Sequence, residues 1–174
     1  MKQLTHYDIT NTQKQFPITI VCDAIRTPEN IGMCFRVAES FGVSKIYLHE
    51  SSPSVQNRIV KKTARNTLNQ VENETYTDFD ALMTQLKSEG NQIIGIEITD
   101  ESINIQDFDF NTAEKIVLLL GSERGGLENI DHVDATIAIP MYGRNSSMNV
   151  VHSMAITLYE VTNQLQQKEI KITE

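Results

Sequence analysis

The stretch Lys115–Leu127, KIVLLLGSERGGL, decides how the chain is read. Five large apolar residues in a row, Ile116 to Leu120, are too short for an ordinary helix and fit a strand with no polar face. A strand apolar on both faces belongs in a parallel sheet covered by helices on both sides. Gly121 then ends the run, and a small, polar turn follows it.

Working outward, the same alternation recurs on either side. PITIVCDAI (17–25), SKIYLH (44–49), QIIGIEIT (92–99) and ATIAIPM (135–141) read as further strands, β-branched and apolar. Helices lie between them. Thr27, Pro28 and Glu29 form a helix start, with Thr27 as cap, and Ile31, Cys34, Phe35, Ala38 and Phe41 follow at helical spacing up to a stop at Gly42. A second helix is expected over Val55–Arg65. A third, from the cap Asp78 to Gly90, turns Phe79, Leu82, Met83 and Leu86 inward. The last runs from about Met148 to Gln166, with Val150, Val151, Met154, Leu158 and Val161 on one side. Strands alternating with helices predict an α/β fold: a mostly parallel sheet with helices on both faces, formed by residues 1–174 as a single domain.

The bulk composition narrows the function classes. There is no apolar run of membrane-spanning length and no apolar leader in MKQLTHYDIT, so a cytoplasmic protein is expected. Four histidines and the two cysteines, Cys22 and Cys34, show no metal spacing, so no metal is expected. A net charge of −8 argues against a non-specific grip on nucleic acid. One stretch runs the other way: NRIVKKTARN carries Arg58, Lys61, Lys62 and Arg65 without an acid, either a solvated helix face or a phosphate track.

In parallel α/β sheets ligands sit beyond the carboxyl ends of the strands, and three loops there hold unusual residues. In TPENIGMCFR, Gly32 inside a helix implies that something approaches the backbone, and Arg36 lies one turn further on the same face. That arginine either serves a phosphate or ribose or pairs with Glu29 or Glu39. In LLLGSERGGL the glycine spacing fits neither a dinucleotide fingerprint nor a P-loop. It leaves a ligand-bearing turn or a plain strand-to-helix connection. In IPMYGRNSSMNV, Pro140 marks the strand end, Ser146 and Ser147 offer cap hydroxyls, and Asn149 stands in the first helical turn.

Together, NIGMCFR, LLLGSERGGL and IPMYGRNSSMNV, in this order, resemble the three signature motifs of SpoU-type RNA ribose 2′-O-methyltransferases, the TrmH-like members of the SPOUT superfamily. The resemblance covers roughly Pro17 to Glu160 and departs at Met148, where the family usually has leucine. It implies a C-terminal deep trefoil knot, which neither composition nor periodicity would reveal, and S-adenosylmethionine as cofactor. Gly121, Ile139, Met141, Ser147 and Met148 would hold the cofactor, with Glu97 beside it. Arg36 would act on the ribose hydroxyl, Asn30 and Glu123 would orient it, and Asn149 and Ser147 would line the substrate pocket. The partner would be RNA, either tRNA or rRNA, since the reaction needs a 2′-hydroxyl. Arg58, Lys61, Lys62 and Arg65 then become candidate RNA contacts. The resemblance also implies a homodimer, with the last helix and the first motif helix in its interface. Only about 16 residues precede the first strand, so RNA binding is expected from the catalytic dimer itself. Two alternatives stay open: a knot protein that binds RNA or cofactor without catalysis, and an unrelated α/β nucleotide binder.

Overall fold

Seven strands and four α-helices make up the computed structural model of the chain, which describes residues 3, 4, 8 and 13–173. Most of the N-terminal stretch read above for a leader lies outside the described residues, as do the side chains of the tail beyond Lys168. The elements follow as β1 (Phe16–Cys22), α1 (Pro28–Ser40), β2 (Val43–His49), α2 (Arg58–Ala64), β3 (Glu72–Tyr76) and α3 (Phe79–Ser88). After them come β4 (Asn91–Ile96), β5 (Ile103–Asn104), β6 (Lys115–Leu120), β7 (Ala135–Ala138) and α4 (Val150–Thr173). They form one sheet of order β3-β2-β1-β6-β4-β7-β5, and every ladder between its strands is parallel.

The all-apolar strand β6 lies at the centre, between β1 and β4. Ile116, Leu118 and Leu120 face a layer made by α1, α2 and α4, where Ile31, Phe35, Val60, Met154 and Leu158 are buried. Val117 and Leu119 face the opposite layer, with Leu82, Met83 and Leu86 of α3. Each fully buried leucine of this strand is worth roughly 1.5–3 kcal/mol of burial. Helices therefore cover both faces, as the unbroken apolar run predicts.

The chain winds outward from β1 through β2 to β3, then crosses to β4 and returns to place β6 beside β1. The winding direction reverses between β1 and β6. Beyond the carboxyl ends of such a pair a crevice opens, the usual ligand site of open α/β sheets.

Several expected boundaries shift, each for a local reason. β1 ends at Cys22 rather than residue 25, because Ala24 turns the backbone into the left-handed region at φ 56°. α2 is shorter than expected because Asn57 caps it, its side chain accepting from the Ile59 N–H. β7 stops at Ala138, where its two-residue partner β5 runs out. α4 starts at Val150, capped by Asn149, whose Oδ1 accepts from the Val151 N–H, so neither Ser146 nor Ser147 is the cap. β3, ENETY, was not expected, since only its last residue is buried, and neither was the exposed two-residue β5.

Gly32 carries the main correction. It is buried, and a Cβ there would lie 2.7 Å from Thr63 Cβ and 2.8 Å from the Val60 carbonyl. What approaches the backbone at Gly32 is helix α2, packed across α1, and not a ligand.

Candidate active site

Three loops meet over the crevice through one carboxylate. Glu123, just past the end of β6, accepts from the backbone N–H groups of Arg26 and Thr27 and from the Asn30 side-chain amide, all at 2.9 Å. Asn30 in turn accepts from Asn149 Nδ2 at 3.1 Å. The chain Asn149–Asn30–Glu123 thus ties the N-terminus of α4 to the start of α1 and to the loop after β6. These residues are 119 and 93 positions apart in sequence.

Desolvation alone would raise the Glu123 pKa. The hydrogen bonds from Arg26, Asn30 and Thr27 outweigh it and hold the carboxyl at about 2, below the ordinary 4.5. Because the folded value is the lower one, its contribution to stability is present above about pH 4.5 and is lost as pH falls toward 2. Glu123→Gln puts an amide N–H₂ where an acceptor is needed. It should destabilise the fold at pH 7 by about 1 kcal/mol, less than a buried charged hydrogen bond because solvent reaches the group. Urea unfolding of both proteins from pH 7 to pH 2.5 checks this: the gap should narrow below pH 4.5.

A second carboxylate holds the same loop from the other side. Glu97 Oε2 accepts from the Leu127 N–H at 2.9 Å and Oε1 from the Ile98 N–H at 2.9 Å. Gly126, at φ 65°, lies so close to this carboxylate that a Cβ there would overlap it. The loop closes on itself through Ser122 and Gly126, which exchange backbone hydrogen bonds of 3.0 and 3.1 Å. Nearby, the hydroxyls of Thr99, Ser102 and Thr136 bond to one another and fix the turn after β4.

Between these loops opens a cavity of about 590 Å³, inside the ~300–1,000 Å³ usual for small-molecule sites. Glu97, Gly121, Ile139, Met141, Ser147 and Met148, all singled out in the sequence as cofactor residues, line it, and so do Glu123 and Asn149. Ile96, Ile98, Ile137, Val150 and Ser153 also line it and were not expected; the strand residues carry the same apolar alternation as the core, so nothing local marks them. The backbone donors of Arg26 and Thr27 were likewise missed, since a backbone role leaves no side-chain signal. From Tyr142 to Met148 no group makes a hydrogen bond to any described residue, so this wall offers free donors and acceptors.

Arg36 does not line this cavity. It lies on α1, six residues and about 9 Å of helix rise beyond Asn30. The residue is partly buried, and its guanidinium makes no ion pair or hydrogen bond among the described residues; neither Glu29 nor Glu39 holds it. Arg58, Lys61, Lys62 and Arg65 are all exposed. The first three lie in α2 and Arg65 closes it, and the spacing i, i+3, i+4, i+7 puts them on one stripe, away from the buried Val60 and Ala64. Among the described residues no three or more His, Cys, Asp or Glu side chains gather where a metal could sit, and no helix is long and apolar enough to cross a membrane.

A parallel α/β sheet with a loop-walled cavity at the carboxyl ends of β4, β6 and β7 defines a protein of the small-ligand-binding α/β class. More narrowly, the chain belongs to the SpoU rRNA Methylase family, whose model matches residues 17–159. It is similar to the 23S rRNA (guanosine-2′-O-)-methyltransferase RlmB of Neisseria meningitidis, with 28% identity over 95% of this chain and 66% of that protein, slightly under two thirds of its length. Among solved structures it is similar to the A. aeolicus TrmH/SpoU tRNA modifying enzyme, at 25% identity and a TM-score of 0.80, covering 90% of this chain and 79% of that one. The fold is shared as well by the SpoU methyltransferase AviRb of Streptomyces viridochromogenes in complex with the cofactor AdoMet, at 22% identity and a TM-score of 0.79, covering 90% of this chain and 63% of that one.

Proposed function

We propose that the chain is a single-domain, S-adenosylmethionine-dependent methyltransferase acting on a ribose 2′-hydroxyl of tRNA or rRNA. The observation that carries this is a cavity walled by the second and third motif loops, with the first motif tied to both through the hydrogen bonds of Asn30 to Glu123 and Asn149. Family membership supports the reaction class, and relatives named for rRNA and tRNA modification support the substrate class. A cytoplasmic location goes with that substrate.

The residues present fit the cofactor. The cavity has the right size, its wall at Gly121 admits no side chain, and Met141 and Ile139 give it apolar surface. When bound, S-adenosylmethionine supplies a methyl group on a cationic sulfur, which needs no acid to leave. The chain must bring the 2′-oxygen into line with that methyl and favour loss of the hydroxyl proton as the new bond forms. An arginine is protonated throughout, so Arg36 grips the neighbouring phosphate and stabilises charge building on the oxygen. Glu123 and Asn30 hold the start of α1, and with it the approach of Arg36 to the substrate. Asn149 and Ser147 stand at the cavity wall where the ribose would enter.

A C-terminal trefoil knot and a homodimer complete the proposal. The knot rests on membership of the family. Ile156 and Tyr159, one turn apart on α4 and exposed, support a partner subunit on that face. In a dimer, Arg36 can serve its own cavity or the partner's.

Two measurements test the reading. Calorimetry with S-adenosylhomocysteine should show one site per chain; no binding removes the proposal. Labelled methyl should enter RNA as alkali-resistant linkages, because alkali cleaves only next to a free 2′-hydroxyl. Cofactor binding without transfer to any RNA from cells lacking the protein would favour a non-catalytic knot protein.

The basic stripe on α2 gives a separate prediction. With Lys61→Ala and Lys62→Ala together, RNA affinity should fall and the slope of log affinity against log salt should flatten by roughly 1–2, one step of ~0.7–0.9 for each phosphate no longer neutralised. Affinity for S-adenosylhomocysteine should not change. An unaltered salt slope would leave α2 as a merely solvated face.

A further inference from the structure

We propose that Tyr142 is a stacking platform for a nucleobase of the RNA, placed at the mouth of the cavity. The inference rests on the methyltransferase reading and adds the element that positions the substrate. Tyr142 is 96% exposed, far above any other large apolar side chain of the described residues, and its hydroxyl has no partner among them. Its neighbour Met141 lines the cavity and Tyr142 itself does not, which leaves the exposed ring beside the cavity. On its other side Gly143 has no atom within 4 Å of where a Cβ would be, which leaves open space for a flat group. Next comes Arg144, exposed and without an ion pair among the described residues.

An aromatic ring beside an unpaired guanidinium is what single-stranded RNA requires: a face for the base and a charge for the adjoining phosphate. Recognition of unpaired RNA works by splaying a base out and stacking it on such a ring. A ribose brought to a deep cavity must carry its base past the rim, where Tyr142 stands. The 142–148 loop is free of internal hydrogen bonds, so it can adjust around that base without breaking any.

The chain contains no tryptophan, so Tyr142→Trp, excited at wavelengths that tyrosine does not absorb, reports from the proposed contact alone. Emission should be quenched by bulk RNA from cells lacking the protein, and unaffected by S-adenosylhomocysteine. In parallel, Tyr142→Ala should raise KM for that RNA by about tenfold, the range expected for one stacked base, with the loss in KM rather than kcat. Tyr142→Phe, which keeps the ring, should recover most of that loss. Unchanged emission with RNA bound, by anisotropy of a labelled RNA, would overturn the inference, as would quenching by S-adenosylhomocysteine alone. A shift from dimer to monomer in Tyr142→Ala would also overturn it, assigning the ring to a subunit interface. The unsubstituted protein is assayed beside the variants: if it methylates RNA and Tyr142→Ala matches it, only the stacking role fails. If it binds no S-adenosylhomocysteine, the enzymatic reading itself fails.

Discussion

Arg36→Ala should lower RNA methylation by roughly 10²–10³-fold, the usual loss when one group that stabilises a developing oxyanion is removed, while the protein stays folded and keeps its cofactor affinity. The structure separates these effects. Arg36 is not part of the cavity wall, so S-adenosylhomocysteine should bind within twofold of the unsubstituted protein by calorimetry. Its guanidinium makes no ion pair or hydrogen bond among the described residues, so its removal breaks no polar contact there. The variant's melting temperature should therefore stay close to the original. Lysine should substitute poorly, since a point charge does not reproduce the planar fork that holds a phosphate in two places. The pH profile distinguishes the two roles. If Arg36 only stabilises charge, the residual activity of Arg36→Lys follows the same profile; if it takes the proton, the profile moves to the lower pKa of an amine. Activity of Arg36→Ala within threefold of the original, measured in single turnovers with saturating RNA, would remove Arg36 from the chemistry.

The structure also shows where sequence reasoning succeeds and why it stops. Five apolar residues at Ile116–Leu120 suffice to mark β6 as a strand covered on both faces of a parallel sheet, because no solvent-facing strand can hold that pattern. β3 carries the opposite signal: its residues ENETY are polar because the strand lies at the sheet edge, where pairing rather than burial defines it. The glycine at position 32 was legible as a close approach but not as to what approaches, since helix α2 and a ligand make the same demand on the backbone. The serines at 146 and 147 are good caps by type, yet Asn149 takes that position. Composition marked the three loops as unusual one by one. That Asn30 ties the first loop to the other two could be read only from the resemblance, because hydrogen bonds spanning 93 and 119 residues leave no trace in local spacing.

Gly121→Ala should lower affinity for S-adenosylhomocysteine by at least about 100-fold, with methylation falling in step. A Cβ at this position would overlap the carbonyl of Gly126 and the amide nitrogen of Leu127. Both are backbone, so no side chain can rotate away, and the 121–127 loop must move. Three restraints then fail together: the Ser122–Gly126 pair, the bond from the Leu127 N–H to Glu97, and the grip of Glu123 on Arg26, Thr27 and Asn30. The cavity loses one wall, and α1 loses its tie to α4 through Asn149. The strands beneath should persist, since Leu118 and Leu119 are held from both faces, so circular dichroism should be unchanged. Gly32→Ala supplies the contrast. There the added Cβ also meets backbone, less closely, at 2.8 Å from the Val60 carbonyl and 3.0 Å from the Ala64 nitrogen, and the collision lies between α1 and α2. Its effect should appear mainly in the melting temperature, at roughly 2–4 °C for each kcal/mol lost in a domain of this size, and much less in cofactor affinity. If Gly121→Ala instead binds S-adenosylhomocysteine like the unsubstituted protein, the cofactor does not depend on this turn, and the cavity it closes is not the methyl-donor site.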